Sequence, residues 1–546
     1  MKRICLLAAS VLLASSLISC GGKKSAETSN GEITFSFFTS DATEDMPFTD
    51  PIALEIKKRT GVTLEIDHPV AGDAQAIPLM MASGAYPDLI YAKGELTKLI
   101  DAGAVIPLDD YIEKYGDNMK KLYGDELVKL RNSLDDPHIY SMGTYGIKTR
   151  LYETTGTMQI QHAVLKELGY PEIKTLDEYA DAIRTYMKKY PEINGQKTIG
   201  LSLLIDTWQW MIDLANPGNF VIGYPDDGQW IVDKDTLKAQ YKFLHPEIYK
   251  FYKWLNRMNE EGILDPESFT QKEDIWRAKI ASGRVLGISY PTWGYGEART
   301  SLIQNGMEDR TYAYLSVTAG PEYKDPSLKD FGYSGGWGIA ISSTCKDPVR
   351  AFKFLDWMCS EEAQILTNWG IEGVNYEIGE DGKRHRLASD IAMSKSDPDY
   401  AKKTGLGRWA YPFPQAGNAA LDSNGELFTP NSREAIAENY LDVERETLAA
   451  YGAEMWTDLF PQPEELGVSK HGACWQYALT PDMNERISVA DEYAKTTLAK
   501  IVLGSPQNFD KEWDKMQADL RKMGLEQAGD VLSQMIADKI KLWSQK

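Results

Sequence analysis

Residues 333–376, YSGGWGIAISSTCKDPVRAFKFLDWMCSEEAQILTNWGIEGVNY, constrain the fold more than any other stretch, because a strand, a turn and an amphipathic helix follow one another without a break. Trp337, Ile339, Ala340 and Ile341 form a short apolar run entered through Gly335 and Gly336. That is the pattern of a buried strand whose backbone must bend or approach something closely. Asp347 stands at an N-cap with Pro348 at the first helical position, and Val349, Phe352, Leu355 and Cys359 follow at helical spacing. A second helical segment, 361–368, leads to Trp369-Gly370-Ile371-Glu372-Gly373, a glycine-flanked loop able to present an aromatic and a carboxylate to a ligand.

The same alternation runs through most of the chain. Residues 32–38 (EITFSFF) read as a first strand, with Thr39, Ser40 and Asp41 falling at its carboxyl end, the edge where ligands collect in open α/β sheets. A helix over 51–60, a break at Gly61 and a strand over 62–66 set a βαβ rhythm. Further strands are expected at 87–91, 139–143, 198–204 and 285–290, and helices at 77–82, 96–102, 108–115, 162–168, 176–189, 241–261, 276–281 and about 526–543. Asp206-Thr207-Trp208-Gln209-Trp210 closes the strand at 198–204, and if that strand persists both indoles share a face. Two domains' worth of strands and helices, with no fixed-period repeat, imply two α/β lobes and a cleft between them.

The amino terminus fixes where the chain works. Lys2 and Arg3 precede an apolar run over 4–18 that ends at Leu17-Ile18-Ser19-Cys20. The run is shorter than the ~20 apolar residues a spanning helix needs, so it reads as a secretion signal, 1–19, closing on a lipobox whose Cys20 receives a lipid. Residues 20–31 are small and polar and read as a flexible tether. The formal charge of −21 becomes two units more negative once Lys2 and Arg3 leave with the signal, which repels nucleic acid and anionic lipid surfaces. Three cysteines remain, Cys345, Cys359 and Cys474, an odd number with no zinc-knuckle or CxxC spacing; they read as small buried hydrophobes, with one disulfide as the alternative.

The run GGWGIAIS, the Pro-initiated helix ending in DWMCSEEAQ and the closing WGIEGVNY resemble the long, family 1 extracellular solute-binding lipoproteins of carbohydrate ABC importers. ASGAYPDLIYA (82–92), LNRMNEEGILDPESF (255–269) and ASGRVLGISY (281–290) agree, in that family's order. The resemblance implies an α/β, two-lobe fold of the type II periplasmic-binding-protein kind with a hinged interlobe cleft. It places lobe one at about 32–146 plus 331–430 and lobe two at about 147–330 plus 431–546, with a crossover near 144–152. The partners it implies are a carbohydrate, ABC permease subunits and the membrane through the lipid anchor; the protein is expected to be a monomer that binds no nucleic acid and uses no cofactor.

A sugar presents C–H faces and hydroxyls, so its site needs flat aromatic rings and a few placed polar groups. The 14 Trp and 29 Tyr are enough for many such sites, and position must choose among them, since any one indole can equally be core. Loops after strands select Trp208, Trp210, Tyr290, Trp293, Trp337 and the Trp369–Glu372 pair, and Asp41 and Asp88 are added as hydrogen-bonding carboxylates against the alternative of turn-capping acids. Relatives of this kind often carry a calcium loop before the strand at 198; here that segment reads YPEINGQKTIG (190–200), with Glu192, Asn194 and a lysine but no aspartate, so no calcium and no other metal is expected. No HExxH or Walker A motif is present, and the six histidines are scattered. The alternatives are a secreted glycoside hydrolase, which needs only two carboxylates across a cleft, and a lipoprotein presenting its ligand to a sensor kinase.

Overall fold

The computed structural model describes residues 31–41, 45–69, 75–154, 157–397 and 399–545. The signal segment, Cys20 and all but the last residue of the expected tether lie outside these residues. No helix among the described residues is long and apolar enough to cross a membrane.

Nine strands build the two larger sheets: β1 (Ile33–Thr39), β2 (Val62–Asp67), β3 (Leu89–Tyr91), β4 (Ser141–Gly143), β5 (Gln159–Gln161), β6 (Ile199–Leu201), β7 (Val285–Ile288), β8 (Tyr312–Tyr314) and β9 (Gly338–Ile341). The first sheet has the order β2-β1-β3-β9-β4 and the second β8-β5-β7-β6. In the first, β1 runs parallel to β2 and β3, while β9 is antiparallel to β3 with Ile339 opposite Tyr91. In the second, β6 and β7 are parallel, and β5 is antiparallel to both β7 and β8. One apolar core gathers Phe35, Phe37, Leu89, Ile339, Phe352 and Leu355, and another gathers Ile160, Ile183, Tyr252, Leu286, Ile501 and Leu532. The result is a two-lobe α/β fold.

Local chemistry sets the elements that carry the site. Asp50 caps the helix Pro51–Thr60 by accepting from the Ala53 amide at 2.9 Å, and Gly61 ends it in the left-handed region. Asp347 caps Pro348–Met358 in the same way through the Arg350 amide at 3.0 Å, as the sequence predicts. The strand expected over 198–204 stops at Leu201. Beyond it the Leu203 amide donates to Ser268 Oγ, the Leu204 amide to Asp213 Oδ2 and the Ile205 amide to the Ser268 carbonyl, so the backbone leaves the sheet for a side-chain scaffold. The segment 190–200 forms a tight hairpin, Glu192–Ile193 against Gln196–Lys197, with φ of 52° at Asn194 and 73° at Gly195 as a two-residue Asn-Gly turn requires.

The chain passes between the sheets from β4 to β5 and from β8 to β9, and a third time between Phe413 of the first core and Leu448 of the second. The last helix, Leu525–Trp543, packs on Ala239–Tyr241 of the second lobe and also reaches the first. There Lys539 Nζ donates to the Asn132 carbonyl at 2.9 Å, and the Lys129 ammonium lies 5.3 Å from the Trp543 ring centre. Cys345, Cys359 and Cys474 are free thiols.

Candidate functional site

The strand directions decide which loops meet. In lobe one, β1 and β3 end at the edge where antiparallel β9 begins, so the residues after Thr39, those after Tyr91 and those before Gly338 converge. Asp41 there forms an ion pair with Lys93 and accepts a hydrogen bond from the Tyr411 hydroxyl at 2.5 Å; the Tyr411 and Tyr91 hydroxyls are 2.5 Å apart. Burial, and next to it the neighbouring Tyr91 group, hold the Tyr411 phenol far above its ordinary pKa, and burial does the same for Tyr91 and Tyr145. All three therefore stay neutral and keep their protons for hydrogen bonding.

Lys93 adopts φ of 50°, a left-handed conformation that costs a lysine on the order of 1–3 kcal/mol and that clusters at ligand sites. Its ammonium lies 5.1 Å from the Trp337 ring centre. Trp337 in turn meets Trp475 edge to face at 5.0 Å, and Tyr145 meets Trp475 at 5.5 Å. The half-buried Trp337 indole N–H has no hydrogen-bond partner among the described residues. Gly335 and Gly336 both have positive φ, and a Cβ on Gly335 would lie 2.2 Å from the Lys129 carbonyl oxygen, which is why two glycines precede this indole. A cavity of about 390 Å³ opens beside it, lined by Lys93, Trp337, Gln476, Lys539 and Leu542 among others.

In lobe two, β6 and β7 run parallel, so their carboxyl ends also share an edge. Trp208 follows β6 and Trp293 follows β7; they are 55% and 61% exposed and stack with ring centres 6.0 Å apart at 21°. Single exposed aromatics are common on protein surfaces, but two indoles from separate loops stacked in solvent form a flat platform. Trp293 rests edge-on upon buried Tyr290 at 5.3 Å, and Tyr290 upon buried Trp276 at 5.4 Å. Beneath both loops, fully buried Asp213 accepts from the Leu204 amide and from Ser289 Oγ, each at 2.5 Å, and so ties the β6 loop to the β7 loop. Burial pushes its pKa up to about 7, against the pull of those two hydrogen bonds. Asp213 sits in the π-helical turn Met211–Ala215, a widened turn of the kind that often marks functional regions.

Several expected residues stand elsewhere. Trp210 is 6% exposed and stacked on Phe243 inside the second lobe; with β6 ended and a helical turn begun at this point, it points away from Trp208 rather than sharing its face. Tyr290 is 1% exposed and supports Trp293 from below. Asp88 lies at the amino end of β3, the edge opposite Trp337 and Asp41, where it accepts from the Ser36 amide and hydroxyl and the Lys346 amide. Burial pushes its pKa up, but those bonds outweigh it and hold the carboxyl below its usual range. Trp369 turns inward, donating to the Leu427 carbonyl at 3.1 Å with the Arg384 guanidinium over its ring, and Glu372 is an exposed turn residue beside the hairpin Tyr376–Ile378 and Arg384–Arg386.

Comparison with known proteins agrees with this architecture. Residues 39–365 match the family described as bacterial extracellular solute-binding protein. The chain is 25% identical over 571 aligned positions to the fructooligosaccharide ABC transporter substrate-binding protein FusA of Streptococcus pneumoniae, covering 96% of this chain and 95% of that one. It is 26% identical to lipoprotein LipO of Bacillus subtilis, covering 60% of this chain and 64% of that one. The solved structure of S. pneumoniae FusA in complex with kestose superposes with a TM-score of 0.65 at 20% identity, covering 94% of this chain and 99% of that one.

Proposed function

The chain belongs to the bacterial extracellular solute-binding proteins, and from that premise we propose that it is the lipid-anchored binding component of an ABC importer that captures a neutral oligosaccharide between its lobes. Residues 1–19 are removed as a signal, Cys20 carries the lipid, and 20–31 tether lobe one (32–146 and 331–430) and lobe two (147–330 and 431–546) outside the cytoplasm. The protein acts as a monomer, and its closed form docks on the permease by hinge closure about the crossovers.

The stacked, solvent-facing Trp208–Trp293 pair carries this reading, because a sugar face is the ligand surface such a platform suits. Trp337 and Tyr145 of lobe one, joined by Trp475 of lobe two, supply a second aromatic wall, and Asp41, Lys93 and Tyr411 supply polar atoms. Three charged pairs lie near the edges: Asp41 with Lys93, Asp206 with Lys272 at 2.7 Å, and Arg299 with Glu444 at 3.1 Å. Lys93, Lys272 and Arg299 are thus engaged, which favours an uncharged ligand over a uronate at these three positions, since an unpaired cation would be needed to hold a carboxylate. FusA, named for fructooligosaccharides, makes kestose a first candidate.

A hydrolase would need a carboxylic acid facing the ligand at this edge, and Asp41 is engaged instead by Lys93 and the Tyr411 hydroxyl. Thermal-shift screening of the full chain against kestose, other neutral oligosaccharides and uronates tests the proposal, with incubation products analysed for cleavage. A midpoint rise with a neutral oligosaccharide and no turnover is expected. A rise confined to uronates, or hydrolysis, overturns it.

A further inference from the structure

Asp227, His471 and Cys474 meet inside the second lobe, 2%, 7% and 2% exposed, with one ligand atom of each lying within 4.8 Å of the others. They join the turn before Trp230 to the 469–477 loop that carries Trp475 and Gln476. The hydrogen bonds around His471 favour one tautomer. Ser469 Oγ donates its one proton to the Gly472 carbonyl at 2.9 Å, so toward His471 Nδ1, 3.2 Å away, it can only accept. Nδ1 therefore carries a proton, and in a neutral ring Nε2 presents a lone pair.

That lone pair faces Asp227 Oδ2 at 3.3 Å, while Oδ1 is occupied by the Cys474 amide at 3.0 Å. Two acceptors in a dry interior do not face one another without a cation between them, either a second ring proton or a metal ion. The spacing favours the metal. A charge-assisted imidazole–carboxylate contact draws in to roughly 2.7–2.9 Å, whereas zinc with bonds of ~2.0–2.1 Å holds two tetrahedral ligands roughly 3.3–3.4 Å apart. Cys474 adds a third, soft donor, and a hydrogen-bond partner on Nδ1 is what metal-bound histidines use to orient the ring.

We propose that Asp227 Oδ2, His471 Nε2 and Cys474 Sγ form a structural site for a divalent transition-metal ion, zinc fitting best, which fastens the Trp475 loop to the second lobe. On binding, the Cys474 S–H bond breaks, its proton leaves to solvent and a metal–sulfur bond forms. One carboxylate and one thiolate then neutralise the dication, so no net charge is buried. The signal in the sequence is the short spacing His471-x-x-Cys474, whose third partner lies 244 positions from His471; neither cysteine spacing nor histidine spacing read alone discloses it. The site stands whatever ligand the cleft takes.

Cobalt(II) titration of the purified full chain tests it. One equivalent is expected to bind with a near-ultraviolet thiolate-to-cobalt charge-transfer band that Cys474→Ser abolishes and Cys359→Ala retains. Zinc should raise the unfolding midpoint of the wild type and not of Cys474→Ser or His471→Gln, and Ser469→Ala should weaken zinc about 10–100-fold. Cobalt uptake without that band, or zinc stoichiometry and midpoint shift identical in Cys474→Ser, marks an adventitious ion and overturns the site. Nitrogen-15 spectra showing both His471 ring nitrogens protonated in excess zinc overturn it as well, leaving an imidazolium–carboxylate pair.

Discussion

Replacing Trp293 by alanine isolates what the indole platform contributes to binding. A tryptophan side chain offers up to roughly 250 Å² of burial. With Trp208 and Trp293 at 55% and 61% exposed, more than half of each ring remains open to a ligand. A sugar lying on one face removes about half of that open area, ~70 Å² per ring, which at ~25 cal/mol per Å² is ~1.8 kcal/mol. Since ~1.4 kcal/mol is tenfold in affinity, Trp293→Ala and Trp208→Ala should each weaken the oligosaccharide found by screening by about 20-fold. The rings shield one another, so the double variant should lose less than the product of the two. Calorimetric titration reads the affinity and a thermal melt reads the fold. Neither exposed indole holds the core, so both melts should lie close to the wild type. Trp210→Ala makes the contrast: this indole is buried against Phe243, and its loss should cost ~3–5 kcal/mol of stability. Unchanged affinity in both single variants, with normal melts, refutes the platform.

Asp213→Asn tests how the platform is held. Its folded pKa of about 7 lies above the ordinary carboxylate value, so its contribution to stability is complete below pH ~4, falls as pH rises to about 7 and is gone above that. A shift of ~3 units corresponds to ~4 kcal/mol as an upper bound; chemical denaturation from pH 5 to 8 should show wild-type stability falling relative to Asp213→Asn, and parallel curves would remove Asp213 as the titrating pin. Gly335→Ala should destabilise by at least ~1–2 kcal/mol, because alanine is forced to φ of 77° with its Cβ against the Lys129 carbonyl, and should also weaken sugar binding by displacing Trp337. Equal melts and equal affinity would show that the loop accommodates a side chain.

The fold was legible wherever a segment's own pattern matched its surroundings. Pro51–Thr60 and Leu176–Lys189 carry their caps, apolar stripe and stops in consecutive residues, and both begin and end where expected. The GGWGIAI run became β9 and Asp347-Pro348 opened the next helix, because glycine, cap and proline each act within a few bonds. Where the expectation over-ran, a distant partner decided. Apolar residues continue through Leu203, Leu204 and Ile205, yet the strand stops at Leu201 because Ser268 and Asp213 take the next amides.

The site was less legible, since periodicity tells which face of an element is covered and not what covers it. Trp208 and Trp210 look alike in sequence, two indoles in one loop, and the structure separates them only because the turn into helix directs Trp210 at Phe243 while Trp208 meets Trp293. Lys93 could have been found, for it follows β3 as Asp41 follows β1, and the strand-end argument that picked the acid applies equally to the base. Trp475 and Tyr411 could not, because neither follows a strand of either sheet; they come from the later third of the chain and reach the strand edges only through packing. Asp88 shows the converse case: it borders a strand as Asp41 does, but at the amino end of β3, the edge of the sheet opposite Trp337 and Asp41. An acid or aromatic beside a strand is thus informative only with the strand's direction, and that direction is set by pairing between segments as far apart as β3 and β9.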